Sequence, residues 1–242
     1  GKDIQIDPQY PISQKLFQSF DELQSIYREW NYEIKKIALI AETKSDIPAN
    51  DMVLSCFSGG VDSTYTYGKC RDEITHIMLI QGFDGYGKII GWDENKAARK
   101  KFAEQQGKKL ITVETNVTNF FSKRYISWEV VFGSMLCSLG LALSPKKYFI
   151  PSSTTYSHLT PLGAHPMIDQ QWGTETTDII HHGRSATRTA KTEYIAAHKD
   201  LLDQLQTCWR SPAVNCGECP KCIRTSIVLR MMGVQSESMP PF

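Results

Sequence analysis

The sequence predicts an α/β fold: a parallel β-sheet with crossover helices, preceded by an N-terminal α/β extension and followed by a C-terminal helical segment with a metal knuckle. From residue 52 onward, short apolar segments alternate with helical stretches, the pattern of a parallel sheet. The chain has 242 residues, of which 41% are hydrophobic, so it contains enough apolar material for a core. Four of the seven cysteines fall within residues 208–222, a clustering that indicates a metal site in a non-secreted protein.

We divide the chain into an extension (1–50), an α/β domain (51–200) and a C-terminal helical segment (201–242). The extension is expected to hold an amphipathic helix near residues 14–30 and a strand at 34–40. Strands of the main sheet are predicted at 52–57, 74–80, 109–115, 147–153 and 178–182. Helices are predicted at 63–71, 94–106, 128–143, 187–198, 201–209 and 223–232. The helix at 128–143 is apolar almost all round and is expected to be packed between layers.

A glycine turn follows the first strand of the sheet. The chain runs from Phe57 through Ser58-Gly59-Gly60-Val61-Asp62-Ser63 into helix-compatible residues. Such a turn presents several backbone N–H groups and a helix N-terminus to one point, an arrangement that binds phosphate. The two glycines permit unusual backbone angles and let phosphates approach the main chain. An acid beside polyphosphate would repel it unless a divalent cation or a hydrogen-bonded amide lies between them, so we expect Asp62 to shape the turn and to handle Mg²⁺.

The turn is neither a Walker A loop nor a GxGxxG dinucleotide turn. All six positions match SGGxDS, so the stretch resembles the PP-loop ATP pyrophosphatases, which cleave ATP between its α and β phosphates. The resemblance implies a Rossmann-like parallel sheet of the adenine nucleotide alpha hydrolase (HUP) type. It also implies that adenine lies at the ends of the first two strands, against the backbone of Phe57 and of Leu79, Ile80 and Gln81. A glycine-containing stretch at 82–88 is expected to form a turn over the adenine.

A second resemblance to these enzymes is Lys191-Thr192-Glu193, a Lys-x-Glu at the start of a helix. The resemblance implies that the lysine points to the phosphates. Arg184 and Arg188 precede it and are candidates to neutralise leaving pyrophosphate, with a solvated helix face as the alternative. The predicted catalytic residues are Asp62, Ser63 and Lys191. The predicted ATP-binding residues are Phe57, Ser58, Gly59, Gly60, Val61, Asp62, Ser63, Leu79, Ile80, Gln81, Arg188 and Lys191.

The clustered cysteines have the spacing Cys-x7-Cys-x2-Cys-x2-Cys. They are Cys208, Cys216, Cys219 and Cys222. Four thiolates suit a closed tetrahedral Zn²⁺ with a structural role. An iron–sulfur cluster is the main alternative, because thiolate spacing does not distinguish the two, and disulfides or free thiols come third.

With this cluster, the motifs resemble the 7-cyano-7-deazaguanine synthases, a PP-loop branch with a four-cysteine zinc site. The resemblance implies ATP, Mg²⁺ and Zn²⁺ as cofactors, adenylation of a carboxylate with release of pyrophosphate, and an amide formed with ammonia, which can be dehydrated to a nitrile. The 50 residues before the turn depart from that family, so the acceptor is open: a small-molecule or peptide carboxylate, with ammonia or an amine as donor. The alternatives are a PP-loop tRNA thiolase and a catalytically inactive nucleotide-binding regulatory module.

A long polar loop between the last two strands is expected to shape the acceptor pocket at the carboxyl edge of the sheet. Its candidate residues are His158, His165, Asp169, Trp172, Glu175, Asp178, His181 and His182. The alternatives are a plain surface loop and a second metal site built from these His and carboxylate residues, for which no HExxH-like spacing is present. The formal charge is +1, from 27 basic and 26 acidic residues, so nucleic acid is not expected as a partner. No apolar run approaches the roughly 20 residues that cross a bilayer, and we expect a soluble, cytoplasmic protein. A homodimer stays open.

Overall fold

A computed structural model describes residues 2–30, 33–48, 50–83 and 91–240. The N-terminal part contains β1 (Ile4–Gln5), β2 (Ile12–Ser13), α1 (Gln14–Glu29), β3 (Leu39–Ile40) and β4 (Thr43–Lys44). The strands pair in parallel as β1 with β3 and β2 with β4. The strand expected at 34–40 is wrong except for its last two residues. The side chain of Gln24 on α1 both accepts from the Ile37 N–H and donates to its carbonyl, and so takes the place of a strand partner.

The main sheet has five parallel strands, and all five strands predicted for it are confirmed. They are β5 (Val53–Cys56), β6 (His76–Gln81), β7 (Lys109–Glu114), β8 (Lys147–Pro151) and β9 (Asp178–His182). Their order across the sheet is β7-β6-β5-β8-β9. The chain therefore extends the sheet from β5 first to one side and then to the other.

Helices cover both faces of this sheet. They are α2 (Val61–Cys70), α3 (Trp92–Gln105), α4 (Val117–Ser122), α5 (Trp128–Leu141), α6 (Pro166–Asp169), α7 (Arg188–Ala196), α8 (Lys199–Leu202) and α9 (Pro220–Met231). One core joins α2, α3, α7 and α9 to the first face and includes Tyr67, Phe102 and Phe149. The second core, with Tyr148 and Cys137, joins α5 to the opposite face. Adjacent Tyr148 and Phe149 point to opposite faces because strand side chains alternate.

Two features of the helices bear on the site. Gly133 in α5 lies so close to the long loop that a Cβ there would collide with the Gly163 carbonyl. The helix predicted at 201–209 is wrong: α8 ends at Leu202, and the N–H groups of Thr207 and Cys208 both donate to Asn215 Oδ1, at 2.8 and 3.0 Å, instead of to helix carbonyls. Within the described ranges, no helix is long and apolar enough to cross a membrane.

Candidate functional site

From the sheet order, a ligand-binding crevice is expected at the carboxyl ends of β5 and β8. The chain leaves β5 toward β6 on one side, while β8 pairs with β5 on the other, and ligands of open parallel sheets bind at such a reversal of strand order. The glycine turn begins directly after β5, and Ser152 directly follows β8. The crevice is therefore bordered by the turn that the sequence predicts to bind phosphate.

Hydroxyl groups hold the glycine turn together. Ser58 Oγ accepts from the Gly60 N–H at 3.3 Å and lies 3.2 Å from Ser63 Oγ, which also donates to the Gly60 carbonyl at 3.0 Å. Gly59 has φ +83°, in the left-handed region that favours glycine. Gly60 is the N-cap of α2 and has no side chain with which to accept bonds from the first helical turn. An anion at this point would meet those N–H groups and the positive end of the helix dipole.

Asp62, Arg188 and Lys191 come together at this turn, although α2 and α7 are far apart in sequence. Lys191 Nζ lies 3.0 Å from Asp62 Oδ1 and donates to the Ser152 carbonyl at 2.6 Å. Arg188 Nη1 lies 2.5 Å from Asp62 Oδ2. The Lys191 side chain is 2% exposed, whereas those of Asp62 and Arg188 are 19% and 37% exposed. A buried ammonium group is thus held at the glycine turn by a carboxylate and a main-chain carbonyl.

The residues predicted to contact adenine lie on the same edge of the sheet. β6 pairs with β5, and the Phe57 N–H donates to the Met78 carbonyl at 2.9 Å, which puts Leu79, Ile80 and Gln81 beside the start of the turn. The Phe57 side chain itself is fully buried and stacks on Phe102 at 5.1 Å between ring centroids. Only its backbone is therefore available to a ligand. Of the stretch 82–88 expected to cover the adenine, residues 84–88 lie outside the described residues.

Arg99 is a residue at the turn that the sequence analysis missed. It is 5% exposed, and its Nη1 donates to the Gln204 carbonyl at 2.8 Å while its Nε donates to Asn95 Oδ1 at 3.2 Å. A Cβ at position 59 would lie 2.9 Å from Arg99 Nη1. Burial lowers the pKa of Arg99 to about 10. A signal was available, because Asn95, Arg99 and Phe102 are spaced four and three residues apart and share the buried face of α3.

The long loop contributes a buried pair on the other face of the sheet. His181 Nδ1 lies 2.6 Å from Asp169 Oδ2, and Asp169 Oδ1 accepts from the His165 N–H at 3.2 Å. Burial raises the pKa of Asp169, and the hydrogen bond with His181 opposes that rise. His165 Nδ1 accepts from the Met167 N–H at 3.1 Å and so caps α6, while burial lowers its pKa. These three residues of the predicted acceptor pocket do lie together.

The other candidates from this loop are dispersed. His182 turns to the opposite face, 3.1 Å from Thr66 Oγ1. Glu175 accepts from the Lys15 N–H at 2.8 Å, which ties the loop to α1. Trp172 packs against the cores on either side of the loop. The structure does not gather all eight candidates in one pocket, and it uses several of them to join the extension to the domain.

The four predicted cysteines do form a cluster. Cys208, Cys216, Cys219 and Cys222 are free thiols, and their Sγ atoms all lie within 4.8 Å of one another. A tetrahedral zinc with Zn–S bonds of about 2.3 Å needs sulfur atoms about 3.8 Å apart, so this set fits a metal ion after a small contraction. Within the described ranges, no other group of three or more His, Cys, Asp or Glu side chains is as close. The four cysteines are not joined by disulfides in this structure.

Backbone N–H groups lower the pKa values of Cys216 and Cys219 and favour their thiolate forms, whereas burial raises the pKa of Cys222 to about 12. The Cys219 N–H donates to Cys216 Sγ at 3.3 Å, and the Cys222 N–H to Cys219 Sγ at 3.5 Å. Burial by itself would raise the pKa of Cys219, but N–H groups of Cys222 and Trp209 lower it to about 6. The same residue is the N-cap of α9, where the helix dipole also favours negative charge. The cluster is chemically suited to a thiolate-binding metal.

Comparison with known proteins gives no match: no family profile, no characterised sequence and no solved structure is similar enough to this chain to be counted.

Proposed function

We propose that this chain is an ATP-dependent adenylating ligase of the PP-loop type, with the HUP-type variant of the parallel sheet. The observation that carries the proposal is the convergence of Lys191 and Arg188 on Asp62 at the glycine turn. Two cations and a set of free N–H groups at the reversal of strand order suit a polyphosphate. The match to SGGxDS and the Lys-x-Glu favour cleavage between the α and β phosphates over cleavage at the γ phosphate.

In the proposed reaction, a carboxylate oxygen of the acceptor attacks the α-phosphorus, and the bond to the β-phosphate oxygen breaks. Pyrophosphate leaves against the N–H groups of Val61 and the rest of the first turn of α2, with Lys191 stabilising the charge that develops. Mg²⁺ is commonly bound through one or two carboxylates and substrate phosphates; Asp62 is the carboxylate at this turn and would hold it, neutralising phosphate charge. Ammonia or an amine then attacks the acyl carbon, AMP leaves, and an amide is formed.

The four-cysteine cluster takes no part in this chemistry. Its four sulfurs leave no open position when they surround a zinc ion, which is typical of a structural site. Zn²⁺ is therefore the proposed occupant, and an absorption band of an iron–sulfur cluster in the purified protein would favour the tRNA thiolase alternative instead. The resemblance to the 7-cyano-7-deazaguanine synthases makes 7-carboxy-7-deazaguanine the first acceptor to test.

The test is exchange of labelled pyrophosphate into ATP, measured over a panel of carboxylic acids. We expect exchange that depends on one acid, and a loss of about 10²-fold or more in Lys191→Met, the cost of removing one charge-stabilising donor. Lys123→Met, which removes an exposed lysine elsewhere, is the matched control. Exchange without 7-carboxy-7-deazaguanine but with another acid would keep the ligase and change its acceptor. ATP binding without exchange for any acid would overturn the ligase in favour of a nucleotide-binding module.

A further inference from the structure

We propose that the four-cysteine site and Arg99 together position the glycine turn, through residues 204–208, and so set the affinity of the protein for ATP. Residues 204–208 are called the bridging segment below. The inference rests on the proposed function in one respect, that the glycine turn receives the phosphates of ATP. On this proposal, the cysteine cluster supports the glycine turn in addition to holding the C-terminal helix.

One end of the bridging segment is built into the cysteine cluster. Cys208 is one of the four sulfur donors and ends the segment. Asn215, next to Cys216, accepts from the N–H groups of Thr207 and Cys208 and donates to the Leu205 carbonyl at 2.9 Å. A single buried amide side chain therefore bonds to three of the five residues of the segment and fixes them to the loop that carries a metal ligand. The path of the segment depends on where that loop is held.

The other end of the bridging segment holds the glycine turn. The Gln206 N–H donates to the Gly59 carbonyl at 2.8 Å. Arg99 donates to the Gln204 carbonyl. A Cβ at position 59 would lie 2.9 Å from both that carbonyl and the guanidinium. Gly59 is thus enclosed between the segment and Arg99. Its left-handed backbone, on which the direction of the following N–H groups depends, is fixed by these two neighbours.

The bridging segment has no regular structure of its own to keep this shape. It follows α8 as an irregular stretch, although Leu205 and Thr207 are buried. The N–H groups of Gln204 and Leu205 still donate to carbonyls of α8, but those of the last three residues donate to Gly59 and Asn215. Loss of the metal would release the loop at Cys208 and Cys216, and the turn would lose the same support that it loses when Arg99 is shortened. Arg99 and Asn215 are positioning residues in this view, since neither needs to touch ATP.

The experiment measures binding of ATP with Mg²⁺ by calorimetry in the metal-loaded protein and after treatment with a chelator selective for zinc over magnesium. We expect metal removal, Arg99→Ala and Asn215→Ala each to weaken binding about tenfold, or about 1.4 kcal/mol. Arg99→Lys should restore part of the loss, because it keeps a donor for the Gln204 carbonyl. Lys101→Ala, which removes an exposed charge from the same helix, is the matched control and should bind as the wild type does.

The decisive result is the combination of two changes. If the metal and Arg99 act through the same segment, removing the metal from the Arg99→Ala variant should weaken its ATP binding by less than about a further twofold, since coupled changes are not additive. Additive losses would overturn the proposal, as would unchanged binding in both Arg99→Ala and Asn215→Ala. If the metal-free chain unfolds, the same comparison is made between Arg99→Ala, Asn215→Ala and their double variant in metal-loaded protein.

A second measurement separates this inference from the proposed function. Hydrogen exchange of the Gln206 amide reports its bond to Gly59 whether or not ATP is bound. We expect Arg99→Ala to speed this exchange at least tenfold relative to Lys101→Ala. If the wild type fails to bind ATP while Arg99→Ala still speeds this exchange, the ligase is refuted and the link between Arg99 and the glycine turn is retained. If the wild type binds ATP but Arg99→Ala leaves the exchange rate of the Gln206 amide unchanged, only the link between Arg99 and the glycine turn is refuted.

Discussion

Substitution of Asp62 by Asn should destabilise the protein chiefly because it leaves the buried ammonium of Lys191 without a negatively charged partner. The Lys191 side chain is 2% exposed, and Asp62 is its one carboxylate partner among the described residues, so the substitution leaves the buried ammonium with neutral acceptors, the Ser152 carbonyl at 2.6 Å and the new amide oxygen, and with no counter-charge. Breaking a buried ion pair by removing one partner costs about 3–5 kcal/mol. Because Asp62 is 19% exposed, we expect the lower end, about 3 kcal/mol. For a chain of this size that lowers Tm by about 6–12 °C.

The assay is a double-mutant cycle of Asp62→Asn and Lys191→Met, followed by urea unfolding at pH 7. The double variant removes the unpaired charge and leaves the Ser152 carbonyl without a hydrogen-bond donor, which costs about 1–3 kcal/mol of stability. We therefore expect it to be more stable than the sum of the single effects predicts, with a coupling of at least about 1 kcal/mol. Coupling below about 0.5 kcal/mol would refute the view that Asp62 holds Lys191 in the folded protein.

Three further outcomes are expected. Cys219→Ser should lose bound metal and several degrees of Tm, whereas Cys70→Ser, outside the cluster, should keep its metal; a stable, metal-free Cys219→Ser protein would contradict a structural site. Gly133→Ala should destabilise by about 1–3 kcal/mol in urea unfolding, despite the better helix propensity of alanine, because the new methyl has no room; a stabilised variant would contradict that packing. Burial lowers the pKa values of His165 and His182, so the unfolded chain binds protons first and stability should fall as pH drops below about 6.5, by at most about 1.4 kcal/mol per pH unit for each histidine. The profile of His182→Asn should be flatter than that of the wild type, and parallel profiles would contradict this assignment.

Much of the fold is predictable from local patterns. Each of the five strands is a short apolar segment between turn residues, and each was found where its own residues predict it. The order of the strands across the sheet is not predictable in this way, because nothing in the sequence of β5 specifies that β8 rather than β7 will be its second neighbour. The spacing of the four cysteines also predicts their cluster, since three of them lie within one short loop and the start of a helix.

The parts of the site that escape prediction depend on distant partners. The position of Lys191 at the glycine turn is predicted only from its resemblance to a motif. Local sequence cannot predict it, because its partner Asp62 is 129 residues away. Arg99 is hidden among exposed lysines of the same helix, and only its buried neighbours on α3 distinguish it. The helix predicted at 201–209 fails because the Asn215 side chain competes for backbone N–H groups. In each case the deciding contact joins segments that sequence periodicity treats separately.

The position of α1 has a consequence for the order in which the protein acquires its structure. Tyr27 on this helix bonds to Ser134 at 3.0 Å, and the Lys15 N–H bonds to Glu175, so its partners lie 107 and 160 residues further along the chain. Such contacts cannot form until α5 and the long loop exist and have settled on the sheet, and closing long loops is slow. The helix that is made early is therefore expected to dock late. Until then, its apolar face is the part of the nascent chain that a chaperone would recognise.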